Sequence, residues 1–173
     1  MNKKLKVGET QKHGMGIFAM DDIRKGETLF VMGGHIIDIE TENTLDEFQI
    51  DKPIEISKEF SFCPISPSDM MLMPQHYVNH SCEPNAGFKR SNFMLAIQDI
   101  PKGDEVRYDY AMIIAGNPDS KNYFSMECTC GSVLCRKIID EEGWKDPVLQ
   151  KKYRGHFQQY IEEMIDGEFS TGI

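Results

Sequence analysis

Apolar and polar residues alternate over short runs in the first half of the chain, and glycine or proline interrupts them. Gly16-Ile17-Phe18-Ala19 predicts a strand, residues 21–26 a turn, and Thr28-Leu29-Phe30-Val31-Met32 a second strand closed by Gly33-Gly34. His35-Ile36-Ile37-Asp38-Ile39 and Ile54-Glu55-Ile56 alternate as half-buried strands do. Residues 40–52 between them are polar and fit a connecting helix or a loop.

One segment is repeated. Ala19-Met20-Asp21-Asp22-Ile23-Arg24-Lys25-Gly26-Glu27 is echoed 77 residues later by Ala96-Ile97-Gln98-Asp99-Ile100-Pro101-Lys102-Gly103-Asp104. Each copy reads as a strand end, Asp-Ile, a Lys-Gly turn and an acidic residue leading back into a strand. Glycine admits positive φ at such a turn, and Pro101 presets its entry. Two copies are too few for a solenoid and instead support a body of small β-hairpins.

The periodicity changes towards the C-terminus. Asp146-Pro147 predicts a helix N-cap with proline in the first turn. Leu149, Tyr153, Phe157, Tyr160, Ile161 and Met164 then recur at steps of three and four, predicting one amphipathic helix that ends near Gly167. Its aromatic stripe is expected to face the core, and Gly155 is its weak point. Residues 111–124 are expected to form a mobile loop, and 168–173 a loose tail.

Composition narrows the class. The chain has 173 residues, 40% hydrophobic and 27% charged, enough for one globular domain with its own core. There is no uninterrupted apolar run of about 20 residues, so no membrane span is expected. The start, Met-Asn-Lys-Lys-Leu-Lys, has no apolar run behind it and predicts no secretory signal. A net charge of −9 opposes nucleic-acid binding through phosphates and suits a basic partner, though acidity of this size also serves solubility alone. Five cysteines, an odd number without an export signal, argue against a disulfide framework and for an intracellular setting. Cys128, Cys130 and Cys135 crowd into eight residues, a spacing that points to metal more than to three small buried hydrophobes.

Three separated segments carry the chemistry: His13-Gly14-Met15-Gly16-Ile17-Phe18-Ala19, Tyr77-Val78-Asn79-His80-Ser81-Cys82-Glu83-Pro84-Asn85-Ala86, and Lys102-Gly103-Asp104-Glu105-Val106-Arg107-Tyr108-Asp109-Tyr110. In this order they resemble a SET domain, the fold of S-adenosylmethionine-dependent protein-lysine methyltransferases. The Cys128–Cys135 segment resembles the cysteine-rich post-SET tail of many members. The Gly-Met-Gly alone is a weak signal, whereas the Asn-His-Ser-Cys-x-Pro-Asn string followed by Asp-Tyr is highly specific. The resemblance implies a mainly β fold of small twisted sheets with a knot-like crossing, plus the C-terminal α-helix. It divides the chain into a SET domain (1–125), a post-SET zinc segment (126–140) and a C-terminal helix and tail (141–173). With no cysteine-rich segment before the domain, the chain looks like the small stand-alone, bacterial type.

The resemblance also assigns residues. Gly14, Met15, Gly16, Tyr77, Asn79, His80, Tyr110 and Thr129 would bind the cofactor S-adenosylmethionine, released as S-adenosylhomocysteine. Asn79 and His80 would offer an amide and an imidazole to it. Tyr110 would be the catalytic phenol, orienting a lysine amine that must first lose its proton. Tyr108 would bear on how many methyl groups are added, a tyrosine there favouring one, with Phe88 helping to shape the channel. Cys82 would join Cys128, Cys130 and Cys135 around a structural Zn²⁺, leaving Cys63 as a buried thiol. The implied partner is a lysine-containing basic protein or peptide, histone-like or other, met in the cytoplasm of a bacterium or the nucleus of a eukaryote. Peptide specificity would be set in residues 35–75. Two other readings compete: a non-catalytic SET-like module that binds peptides, and a methyltransferase acting on small molecules.

Overall fold

The computed structural model describes residues 1–116, 119–120 and 123–167. It is built of short strands: β1 (Leu5–Glu9), β2 (Met15–Ala19), β3 (Thr28–Val31), β4 (His35–Asp38), β5 (Ile54–Glu55), β6 (Phe60–Cys63), β7 (Asn79–His80), β8 (Ala86–Lys89), β9 (Phe93–Ala96), β10 (Glu105–Tyr108), β11 (Ser125–Glu127) and β12 (Ile138–Asp140). Four short helices join them: α1 (Ile39–Glu42), α2 (Pro67–Met70), α3 (Pro147–Tyr153) and α4 (Gln159–Asp166). The strands form sheets ordered β1-β2-β10-β7, β3-β9-β8, β4-β6-β5 and β11-β12. All pairs are antiparallel except β10 with β7, where Arg107 sits beside Asn79 and Tyr108 beside His80. No helix among the described residues is long and apolar enough to cross a membrane.

The repeated segments pair with each other. Ile23 and Ile100 exchange backbone hydrogen bonds of 2.9 and 2.8 Å, as an isolated antiparallel bridge. Around them the Lys25 amide donates to Asp99 Oδ1 (2.8 Å) and the Lys102 amide to Asp22 Oδ1 (2.9 Å), so each copy's aspartate caps the other copy's turn. Gly26 and Gly103 hold φ of +87° and +95°, the conformation expected of glycine at both turns. The echo thus ties the β2–β10 sheet to the β3–β9 sheet.

Residues 39–52 begin as a single helical turn. Asp38 accepts from the Thr41 amide at 2.9 Å and caps α1, which takes Ile39 out of the strand. The expected C-terminal helix is two helices. Gly155 stands between them with φ +79°, a left-handed residue that no continuous right-handed helix contains, so the 3.6-residue stripe runs across a corner. Asp146 does cap α3, accepting from the Val148 amide at 2.8 Å. Leu149, Tyr153, Phe157, Tyr160 and Ile161 all enter the same core as Ile17, Leu29, Phe88, Met94 and Val106. Within 111–124, residues Ala111, Met112 and Ile113 are also core, so that part of the expected loop is packed. Residues 117–118 and 121–122, and the expected tail at 168–173, lie outside the described residues.

Candidate functional site

The glycine segment and the Asn-His segment meet through β10. Gly14 has φ +71° and open space where a side chain would stand, so its lack of Cβ serves the turn. Gly16 serves contact: a Cβ there would lie 2.7 Å from Glu105 Oε1 and 3.2 Å from Asn79 Nδ2. Asn79 Nδ2 donates to the Met15 carbonyl (3.0 Å) and to Glu105 Oε1 (2.7 Å). With its amide nitrogen so occupied, Asn79 has its side-chain carbonyl oxygen left over. Met15 is exposed, and Tyr77 half-buried, packs against the core edge.

His80 departs from the expectation that its imidazole faces a ligand. Nδ1 accepts from the Tyr110 amide at 3.1 Å, and Nε2 lies 3.3 Å from Cys82 Sγ. An Nδ1 that accepts leaves the proton on Nε2, directed at sulfur. Burial lowers its pKa to about 4, so the ring stays neutral at physiological pH. The imidazole therefore braces Tyr110 and Cys82 against each other, and only the backbone of His80 remains for a ligand.

Tyr110 is the centre of an aromatic cluster, with His80 and Tyr108 each 5.1 Å away between ring centroids and Phe124 at 6.1 Å. Tyr108 stacks edge-on against Phe88 at 5.5 Å. The Tyr110 hydroxyl donates to the Val78 carbonyl at 3.4 Å, a long bond that leaves it available. Burial pushes its pKa up to about 12 and raises that of Tyr108 well above the usual value, so both phenols keep their protons. Both tyrosines line a cavity of about 600 Å³ with Ile50, Ile54, Met70, Ile113 and Phe124.

The four thiols of Cys82, Cys128, Cys130 and Cys135 lie within 4.8 Å of one another and can hold a metal ion. Cys82 and Cys128 are buried. Burial raises Cys82 and pushes Cys128 up to about 12; for Cys130 burial is outweighed by amide donors of Cys82 and Ser132, which bring it down to about 7. Four converging sulfurs with no disulfide between them suit a tetrahedral metal site. Thr129 is exposed between two of them, on no hydrogen bond that would fix its side chain among the described residues.

A buried network that motif reading missed ties this cluster to Tyr110. Asp109, fully buried, takes two hydrogen bonds of 2.6 Å from the Arg136 guanidinium, and its Oδ2 lies 3.0 Å from the Tyr153 hydroxyl. Asp109 Oδ1 also caps the turn Tyr110–Met112 through the Ala111 amide at 3.1 Å. Lys152 donates to the Cys82 carbonyl at 3.1 Å. Thus α3 is a strut: Lys152 and Tyr153 hold the Cys82 segment, and Arg136 holds the tail against Asp109. The position of Asp109 between two motif tyrosines, and of Arg136 directly after a cysteine, was a signal for the neighbourhood but not for the pairing.

Comparison with known proteins agrees with this arrangement. The SET domain family pattern matches residues 14–111. Histone-lysine N-methyltransferase ASHH3 of Arabidopsis thaliana is 30% identical over 150 residues, covering 79% of this chain and 38% of its own. The H3 lysine-36 specific histone-lysine N-methyltransferase of Candida albicans is 27% identical over 158 residues, covering 84% of this chain and 18% of its own. The chain thus spans well under half the length of these curated relatives. Among solved structures, KRYPTONITE in complex with mCHG DNA and SAH superposes with a TM-score of 0.53 at 21% identity, over 78% of this chain and 28% of that one. The match over more than half the chain, on the segments that build the tyrosine cavity, is decisive: the chain belongs to the SET domain family.

Proposed function

We propose that this chain is a protein-lysine N-methyltransferase that uses S-adenosylmethionine and favours addition of a single methyl group. The observation that carries the reading is the position of Tyr110, between a cavity of mixed polar and apolar lining on one side and the Asn79–His80 strand on the other. The open backbone at Gly14, the unspent carbonyl oxygen of Asn79 and the main chain of His80 would hold the cofactor, with Met15, Tyr77 and Thr129 beside them. When bound, the cofactor supplies an electrophilic methyl on a sulfonium, so the new N–C bond forms as the S–C bond breaks and S-adenosylhomocysteine leaves.

The rest is the work of the chain. A lysine arrives as ammonium, with a pKa of about 10.4, and has no lone pair to attack with. The part of the cavity walled by Ile50, Ile54, Ile113 and Phe124 beside the two tyrosines disfavours the charged form and promotes loss of that proton to water. Glu42, Asp51 and Glu55 elsewhere in the lining favour the arriving ammonium. Tyr110, protonated through the neutral range, is no base; its hydroxyl instead orients the amine. The Tyr108 hydroxyl, which has no protein partner among the described residues, narrows the space for a methylated product and supports the preference for one methyl. The Cys82, Cys128, Cys130 and Cys135 set would hold structural Zn²⁺, closing the tail over the site without taking part in the reaction.

A lysine-containing basic protein or peptide, histone-like or other, is the acceptor that fits an acidic chain, and the names of its relatives are those of histone-lysine enzymes. On this reading it works inside the cell, in the nucleus where the acceptor is a histone. The test is transfer of radiolabel from methyl-labelled S-adenosylmethionine to a panel of lysine peptides and their arginine-substituted counterparts. Incorporation confined to the lysine peptides is expected. Calorimetric binding of cofactor and peptide with no transfer would favour the non-catalytic module instead.

A further inference from the structure

Directly before the Asn-His segment, the single 3₁₀ turn Pro74–Tyr77 carries two polar side chains that neither the motifs nor the proposed chemistry uses. Gln75 and His76 both line the tyrosine cavity. Gln75 is 97% buried, at 3% exposure, and its amide nitrogen donates to the Gly33 carbonyl. That bond fixes the flip of the amide, so Oε1 is the group left over, and it has no hydrogen-bond partner. His76 Nε2 is likewise buried and unpartnered.

Buried polar atoms in folded proteins are nearly always satisfied, and an exception calls for a ligand, a water or a function. Two such exceptions fall on adjacent residues in the wall of one cavity, whereas the others among the described residues, on Arg107, His156 and Gln158, do not line it. Their chemistry is specific. Oε1 only accepts, so it needs a donor; an imidazole nitrogen takes either role according to tautomer. Burial holds the His76 pKa down to about 4, and the nearest charges, Lys52 and Asp51, are paired with each other. The imidazole is therefore neutral, and the pair of side chains suits a group that both donates and accepts.

Resting on the methyltransferase reading, we propose that Gln75 and His76 form a recognition site for a hydroxyl or carboxamide side chain on a residue flanking the acceptor lysine. Serine, threonine, asparagine and glutamine carry such groups. A valine or leucine of similar shape would leave both protein atoms unpaired, and sites built to hydrogen-bond a substrate group discriminate strongly against analogues that lack it. The turn straddles the end of the 35–75 stretch and the first residue of the Asn-His motif, and its first proline holds the backbone in place.

The experiment uses lysine-centred peptides with each flanking position set in turn to Thr or Val and to Asn or Leu, methylated by the full chain with labelled S-adenosylmethionine. The expected result is one position at which Thr or Asn exceeds its apolar isostere roughly tenfold in kcat/KM, carried by KM. The variant Gln75→Met should erase that preference, bringing the Thr/Val or Asn/Leu ratio of kcat/KM to about one, while loss of its bond to the Gly33 carbonyl lowers the thermal midpoint. His76→Phe, whose Nε2 has no protein partner to lose, should bring the ratio to about one as well. If no flanking position discriminates Thr from Val or Asn from Leu, water alone satisfies these atoms and the proposal is overturned. It is equally overturned if the preference survives in both variants. Wild-type protein that labels none of the lysine peptides would overturn the methyltransferase reading, and this one with it.

Discussion

At the scale of single residues, the site depends on which hydrogen-bonding groups are already spent. Asn79 has used its donors on Met15 and Glu105, and His80 has used both ring nitrogens, so each presents less to a ligand than its side-chain formula offers. Tyr110 retains its hydroxyl. Replacing Tyr110 with Phe should lower kcat by about 100-fold, the order expected when a reacting group loses its orientation. Cofactor affinity, read by calorimetry, should change by no more than a few fold. Parallel losses in both would mark Tyr110 as a packing residue. Tyr108→Phe removes only a hydroxyl against Phe88, and the methylated peptide should then shift towards dimethyl-lysine by mass; an unaltered product mass would refute the role given to Tyr108.

Among the elements, the C-terminal helices show how one glycine reverses an expectation. A glycine inside a continuous helix is improved by alanine, by roughly 1 kcal/mol. Gly155 instead holds φ +79° at the corner between α3 and α4, where an L-residue is strained. Gly155→Ala should therefore destabilise the protein by about 1 kcal/mol, read as a lower denaturant midpoint, although nothing lies within 4 Å of the added Cβ. A higher midpoint would mean the helix is continuous in solution. The corner matters because it lets Tyr153 reach Asp109 while Tyr160 turns back to Glu55 and the Ile113 carbonyl.

Across the whole molecule, the tail, the C-terminal helices and the β body are joined through Asp109 and the cysteine cluster. Arg136→Met leaves the Asp109 carboxylate buried with only the Tyr153 hydroxyl and the Ala111 amide, and breaking such a pair costs about 3–5 kcal/mol. Chemical denaturation measures that loss, and a change under 1 kcal/mol would show the pair to be dispensable. Removal of metal by a chelator should abolish methyl transfer while far-ultraviolet circular dichroism keeps most of its β signal, because the main core contains none of the four cysteines. Metal analysis should return one zinc per chain before treatment. Activity that persists in fully zinc-free protein would contradict the role assigned to the tail.

The amino-acid order alone determined what is local or chemically distinctive. Alternation located β2 to β5 to within a residue or two, the Asp-Pro pair located the cap of α3, and the repeated Lys-Gly turns were visible as a repeat. Spacing pointed to metal at Cys128, Cys130 and Cys135, and the resemblance carried by the Asn-His-Ser-Cys string and its neighbouring motifs assigned roles to Tyr108, Tyr110 and Cys82. Only the tertiary structure decided the rest, since it turns on pairs far apart in the chain: Asp109 with Arg136, Ile23 with Ile100, and Gln75 with Gly33. It also decided the corner at Gly155 and the inward turn of the His80 ring. A periodic stripe reports which residues face the core, not whether the backbone between them bends, and an imidazole reports its two nitrogens, not the partners that burial finds for them.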